Sequence, residues 1–383
     1  MWLRTRPEFE ATTMVSRNIE HFGKQAIAAL LVFIGLGSGM AAAQSATLFE
    51  QPAISSVIAT RSVMLSVAKA GKRLIAVGER GFIIISDDNG ATWTQVSSPV
   101  SVTLVKVYFV DAKKGWVVGH AGVVLHSQDG GLSWTRQLDG VKEAQLELDA
   151  AQQQASVGEP TEQTQERLNQ AQQLVDDGPD KPLLDVLFFN AQEGIVVGAY
   201  GLAFMTRDGG ASWQSIRGQI DNPSGLHLYS LQQVGNDIFI AGEQGLLLRS
   251  RNGNGRFEAL TSPYEGTAFG LQATADGSLI LFGLRGNAFI SPDRGESWRK
   301  LDSLQPISLT ASVRRSDGAL LLADESGRVL RYEEGSTKLA NESVGQPSYV
   351  SGMVEAANGN LVLSTTRGML SSTWPAVGSE SSK

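Results

Sequence analysis

Four stretches share the spacing S/T-x-D-x-G-x-x-W: Ser86-Asp88-Gly90-Trp93, Ser127-Asp129-Gly131-Trp134, Thr206-Asp208-Gly210-Trp213 and Ser291-Asp293-Gly295-Trp298. A fifth copy is degraded to Ser250-Asn252-Phe257. Two chemistries are open to such a set. The carboxylates could bind a metal or a sugar. Alternatively, each accepts backbone N–H bonds within its own turn, the glycine takes positive φ, and the tryptophan opens the next strand and packs between neighbours. Identical turns on successive repeats point away from one another, which favours the structural reading. Asp88, Trp93, Asp129, Trp134, Asp208, Trp213, Asp293 and Trp298 are therefore read as turn builders, with no catalytic or metal-binding role.

A second set follows from a glycine that recurs at Gly81, Gly122, Gly201, Gly245, Gly286, Gly327 and Gly368, with spacings of 41, 79, 44, 41, 41 and 41 residues. The residues before it are Arg80, Ala121, Tyr200, Gln244, Arg285, Ser326 and Arg367. Arginine suits bidentate capture of carboxylate or phosphate, so Arg80, Arg285 and Arg367, with Tyr200 and Gln244, are candidate partner-binding residues. Glu79, Glu243 and Glu325 adjoin these positions and are candidates to pair with the ring internally. Other chemistries are excluded. The 383 residues hold no cysteine, which removes disulfides, thiolate metal sites, cysteine nucleophiles and a lipoprotein anchor. His21, His120, His126 and His227 are too few for a histidine metal centre. A net charge of −7 argues against general nucleic-acid binding. No G-x-S-x-G, P-loop or H-E-x-x-H motif is present. No cofactor is expected.

The elements that position these residues repeat with them. Each unit of about 41 residues holds four short apolar runs separated by turns, as in Leu104–Val110, Trp116–Gly119, Val123–His126 and the run opening at Trp134. Four strands per unit is one blade of a β-propeller, so the sequence predicts an all-β, seven-bladed ring over 44–375. In a complete repeat the turn tryptophan lies 12 residues after the marker glycine; for Gly368 that is position 380, in the polar tail 376–383, read as disordered. Blade seven then lacks its fourth strand, and Thr47–Ala59 is expected to supply it and cover the edge. The inner strands align Ser66, Lys106, Asp185, Ser230, Gly270, Thr310 and Ser351 along a central channel, with Lys106 and Asp185 able to pair.

The 79-residue spacing contains an insertion, 140–182. Val141–Val157 and Thr161–Asp177 are rich in Gln, Glu, Ala and Leu and are split by Gly158-Glu159-Pro160. Stripes at Leu148, Ala151 and Ala155 and at Leu168, Ala171 and Val175 predict a helical hairpin. Its nine acids and three bases give −6. It is either a partner-contact arm or a tolerated insertion, and it rises from the face that carries the marker turns. At the start, Arg17 and Lys24 precede the uncharged stretch Ala26–Gly39, and Ala41-Ala42-Ala43 follows. Residues 1–43 are read as a cleavable signal peptide with its true start at Met14, which implies a periplasmic protein.

The turn pattern resembles the Asp-box of sialidase-like and related propellers. With the export signal, the seven blades and the units Val117–Trp134 and Val196–Trp213, the chain resembles the photosystem II assembly and stability factor family over roughly 47–375. The resemblance implies a non-enzymatic protein that binds newly made reaction-centre protein on the lumenal or periplasmic side. It also implies an arginine patch as the docking surface, to which Arg80, Arg285 and Arg367 are the nearest candidates. The hairpin and the acidic balance depart from the family pattern, so an integral membrane protein of another envelope complex, such as an exporter, is equally open as partner. A monomer is expected. The rival reading is a carbohydrate-active Asp-box propeller, but the Arg-Ile-Pro of a sialidase is replaced by Arg61-Ser62-Val63.

Overall fold

A computed structural model describes residues 48–373, apart from 158, 160, 254 and 343–347. The signal-peptide segment 1–43 and the tail 376–383 lie outside the described residues. Blade one contains β1 (Met64–Ala70), β2 (Arg73–Gly78), β3 (Ile83–Ser86) and β4 (Thr94–Val96), an antiparallel meander in that order. Five further four-stranded sheets and one three-stranded sheet repeat this plan.

Alternating side chains make both faces of each sheet apolar, so every blade packs on two neighbours. The core is therefore divided into layers, one between each adjacent pair. Ile75 and Val77 of blade one meet Val117 and Leu125 of blade two, and equivalent layers follow around the chain. The last layer joins Val354 and Val362 of blade seven to Met64, Leu74 and Phe82 of blade one. The Ser351 hydroxyl adds a 2.6 Å bond to the Met64 carbonyl. The seventh blade thus meets the first through side chains.

The expected closing strand is not among the strands of the described residues. Among the described residues the seventh sheet has three strands, Val350–Glu355, Leu361–Thr365 and Gly368–Ser372, and 51–58 contributes none. That segment is held elsewhere. Phe49 is buried in the first–second layer, where the Arg136 guanidinium lies 5.1 Å from its ring centre and donates to its carbonyl at 2.6 Å. The Ala53 N–H donates to Ser98 at 3.1 Å, and the Gln95 side chain on β4 bonds Ser56 and Ile54. These contacts tie the segment to the outer edge of blade one.

The aspartate turns form as read. The Ser86 hydroxyl donates to Asp88 at 2.7 Å and accepts the Gly90 N–H at 2.8 Å, while Asp88 accepts the N–H and hydroxyl of Thr92 at 2.9 and 2.6 Å. The same four bonds surround Asp129, Asp208 and Asp293. Each turn also wedges against the preceding blade. Gly90 faces Val362, Gly131 faces Ile75, and Gly295 faces Leu260. Trp93, Trp134, Trp213 and Trp298 enter the layers shared with blades seven, one, two and four. The Thr92 hydroxyl, then its N–H, holds Asp88 down at about 2, and Ser297 does the same for Asp293, against an ordinary value of 3.8. A depressed carboxylate stabilises the fold above its ordinary value, and that contribution is lost as pH falls toward the lower one. Asp88→Asn with Asp293→Asn is therefore expected to flatten the acid unfolding limb between about pH 4 and pH 2, followed by circular dichroism; an unchanged limb contradicts the assignment.

Candidate functional site

The marker turns build one end of the ring. In blade one the chain reverses through Glu79–Phe82, with the Phe82 N–H on the Glu79 carbonyl at 3.0 Å. Both central residues are left-handed, Arg80 at φ 56° and Gly81 at 71°. Ala121, Tyr200, Gln244 and Arg285 repeat this at φ 57°, 55°, 52° and 56°. A two-residue reversal between twisted strands demands positive φ at both positions, for which glycine or asparagine is the low-energy choice. Five blades instead hold a side-chain-bearing residue under strain, a pattern found where a side chain must be presented. In blades six and seven only the glycines, Gly327 and Gly368, are left-handed.

Arg80, Tyr200, Gln244, Arg285, Ser326 and Arg367 are exposed, whereas Ala121 is covered by the hairpin. Among the described residues the guanidinium groups of Arg80, Arg285 and Arg367 make no ion pair or hydrogen bond. The neighbouring acids are engaged elsewhere: Glu79 accepts the Val63 N–H at 3.4 Å, and Glu243 accepts the His227 N–H at 3.2 Å. Among the described residues no ion pair joins Glu79, Glu243 or Glu325 to these arginines. Blades five, seven and one thus offer three free cations on one side. Glycine at Arg80 or Arg285 relieves left-handed strain, so each substitution is expected to raise stability by about 1 kcal/mol or less while weakening partner binding. Denaturant midpoints beside binding curves check this; glycine variants that bind normally show that the side chains are incidental.

The hairpin foots on the same face. Helix α1 (Gly140–Ala155) is capped by the Asp139 carboxylate on the Lys142 N–H at 3.2 Å, and α2 (Glu162–Asp177) starts at a Thr161–Thr164 capping box. Leu148, Ala151 and Ala171 are buried as the stripes require and Ala155 and Leu168 are partly buried, but Leu174 takes the buried place expected of Val175, which is 37 % exposed. Glu147, fully buried, accepts Arg167 Nε at 2.9 Å and Nη2 at 3.0 Å, binds the Ser215 hydroxyl, and lies 3.5 Å from Arg217 Nη1. One carboxylate therefore ties both helices to blade three. A polar cleft of about 590 Å³ opens between α2 and Arg217–Pro223. Tyr200 stands half exposed beside the foot, with Lys181 Nζ 5.4 Å and the His227 ring 4.9 Å from its centre. Sequence reasoning missed Glu143 and Glu147 as buried groups. The signal was present, since both fall on the α1 stripe with Ala144, Leu148 and Ala151.

In the channel, about 730 Å³, all seven aligned residues contribute to the lining. Lys106 Nζ lies 3.5 Å from Asp185 Oδ1, and Asp185 also accepts the Val186 and Leu231 N–H groups at 2.8 Å. The pair staples neighbouring blades. Each inner strand carries a bulge near its start; register places Ala311 and Gly352, not Thr310 and Ser351, opposite the equivalents of Val77. Among the described residues no cluster of His, Asp or Glu could hold a metal.

Against this geometry stand the comparisons. The family model for the Photosynthesis system II assembly factor YCF48 matches residues 85–159 and 164–368. The chain belongs to this family. The two matched ranges break at 160–163, within the hairpin, at the turn between its helices and the start of α2. The Photosystem II assembly lipoprotein Ycf48 of Synechococcus sp. (strain CC9902) is 30 % identical over 117 residues, 30 % of this chain and 35 % of that protein. The chain thus aligns with about a third of that relative's length. Two solved relatives share the fold. "YCF48 bound to D1 peptide" has TM-score 0.59 at 17 % identity and covers 82 % of this chain and 95 % of that one. "YCF48 from Cyanidioschyzon merolae" has TM-score 0.58 at 16 % identity, covering 83 % and 97 %. The fold itself is wider than the family, since a streptogramin B lyase has TM-score 0.61 at 11 % identity, covering 83 % of this chain and 95 % of that one.

Proposed function

We propose that this protein is a non-enzymatic assembly or stability factor for a membrane protein complex. It is exported through its N-terminal signal, acts in the periplasm as a monomer, and docks an integral membrane protein on its marker-turn face. The partner-binding residues are Arg80, Arg285 and Arg367, with Tyr200 and Gln244 beside them. One observation carries the reading: three exposed guanidinium groups, without internal partners among the described residues, share one side of a face, and two of them, Arg80 and Arg285, are held in left-handed turns. Family membership and a relative's structure with a D1 peptide support it. The relative is a lipoprotein, whereas this sequence holds no cysteine to carry a lipid. Among the described residues no helix is long and apolar enough to cross a membrane. The chemistry this face requires of its partner is a carboxylate-bearing segment, whichever membrane complex presents it.

Affinity capture from detergent-solubilised membranes tests the role. Enrichment of an integral membrane protein is expected. Recovery of none contradicts it, and turnover of a sialoside or β-glucan by the purified protein overturns the non-enzymatic assignment.

A further inference from the structure

Four of the marker glycines are covered by one kind of chemical group. A side-chain carbon placed on Gly81, Gly245, Gly286 or Gly368 meets first the carbonyl oxygen of Val100, Tyr264, Gln305 or Thr60, each from the segment leading into a neighbouring blade's first strand. In blade three Gly201 meets the Asn222 side-chain amide first, and blade two differs because the hairpin replaces that segment. The group against Gly122 is Oε2 of Glu143, in the first turns of α1, with the backbone of Gly140 next to it.

Glu143 is 2 % exposed, and its Oε2 has no hydrogen-bond partner among the described residues. The groups facing it are mostly acidic. Its own helix and cap bring Glu147 and Asp139, and the segment after α2 brings Asp180 and Lys181. The blade-two turn His120–Gly122 brings only His120, which is exposed. The nearby cations are committed: Arg136 lies 3.4 Å from Asp139, Lys181 lies 3.1 and 2.5 Å from Asp177 and Asp180, and Arg167 pairs with Glu147 at 2.9 Å. Burial, then the Asp139 and Glu147 carboxylates, push the Glu143 carboxyl well above the ordinary glutamate range.

We propose that Glu143 is held as a neutral carboxylic acid standing in for the missing peptide carbonyl, and that this makes docking of the hairpin on the propeller proton-dependent. A docked hairpin keeps a proton that a solvated glutamate releases. Docking is complete below the ordinary glutamate range and weakens as pH rises toward Glu143's own, higher value, the docked-to-free ratio falling about tenfold per pH unit within that window. The latch stands on the hairpin foot alone. Only its consequence, a reshaped surface beside Tyr200, rests on the docking role proposed above.

The absence of native cysteine allows two spin labels to be placed, at Gln153→Cys on α1 and Ser326→Cys on blade six, and their separation to be measured by double electron–electron resonance from pH 4 to pH 9. The expected result is one narrow distance at low pH and a growing second population as pH rises. With Glu143→Gln, which keeps the shape and removes the titration, the narrow distance persists throughout. A wild-type distribution that does not change with pH overturns the latch, as does a Gln variant that keeps the wild-type pH dependence. Either failure leaves membrane capture through the arginines intact, so the two proposals fail separately.

Discussion

Glutamate at Arg80, Arg285 and Arg367 together is expected to lower affinity for the captured membrane partner by about 100-fold or more, with the fold unchanged. A charge-assisted guanidinium–carboxylate contact contributes about 1.5 kcal/mol or more, and each 1.4 kcal/mol is about tenfold in affinity. Three lost contacts plus like-charge repulsion exceed that figure. The fold tolerates the change because these side chains are exposed and make no internal contact among the described residues. Binding should also weaken as salt rises, more steeply for the wild type than for the triple variant. Lys72→Glu with Lys113→Glu is the control, since both lysines are exposed in turns between first and second strands, away from the marker turns. Titration calorimetry with the solubilised partner gives the affinities, and melting curves give the stability. Equal loss in the control pair points to a diffuse charge effect instead.

Glu147→Ala is the second large effect. Glu147 is a fully buried carboxylate shared by Arg167, Arg217 and Ser215, so its removal leaves two guanidinium groups in a desolvated junction. Breaking such a pair from one side costs about 3–5 kcal/mol. The loss belongs to the contact between hairpin and propeller, so hydrogen exchange of α1 and α2 amides should accelerate by about 100-fold or more while the blades keep their protection. Glu147→Gln retains hydrogen bonding without the charge and should fall between the two. A change below about 1 kcal/mol in the alanine variant means that Arg167 and Arg217 reach water and the junction is not buried as described.

The repeat was legible because its turns are local. A serine or threonine, an aspartate, a glycine and the serine or threonine just before the tryptophan complete four bonds within seven residues, so each turn forms whatever surrounds it. The hairpin was legible for a similar reason, since its stripe follows helical period. Ring closure was not local. The segment 48–58 is captured by Gln95, Ser98 and Arg136, residues 40 to 90 positions away, and no period in that segment names the edge it lies on. The channel alignment slipped by one residue at Thr310 and Ser351, where the register places Ala311 and Gly352. Among the site residues, the arginine positions were visible from the marker glycine. The left-handed backbone of Arg80 and Arg285 was not, and neither was the lack of internal partners among the described residues, which depends on where Glu79 and Glu243 find hydrogen bonds.

The central claim is that the marker-turn face meets a membrane protein through the arginine side. Site-specific photo-crosslinking reads this directly: a benzophenone side chain is placed at Ser326, between the arginines of blades five and seven, and in a second variant at Lys113. Irradiated in cells, the Ser326 position should yield a covalent adduct with an integral membrane protein, and Lys113 should not. An adduct from Lys113 but none from Ser326 would contradict the docking face.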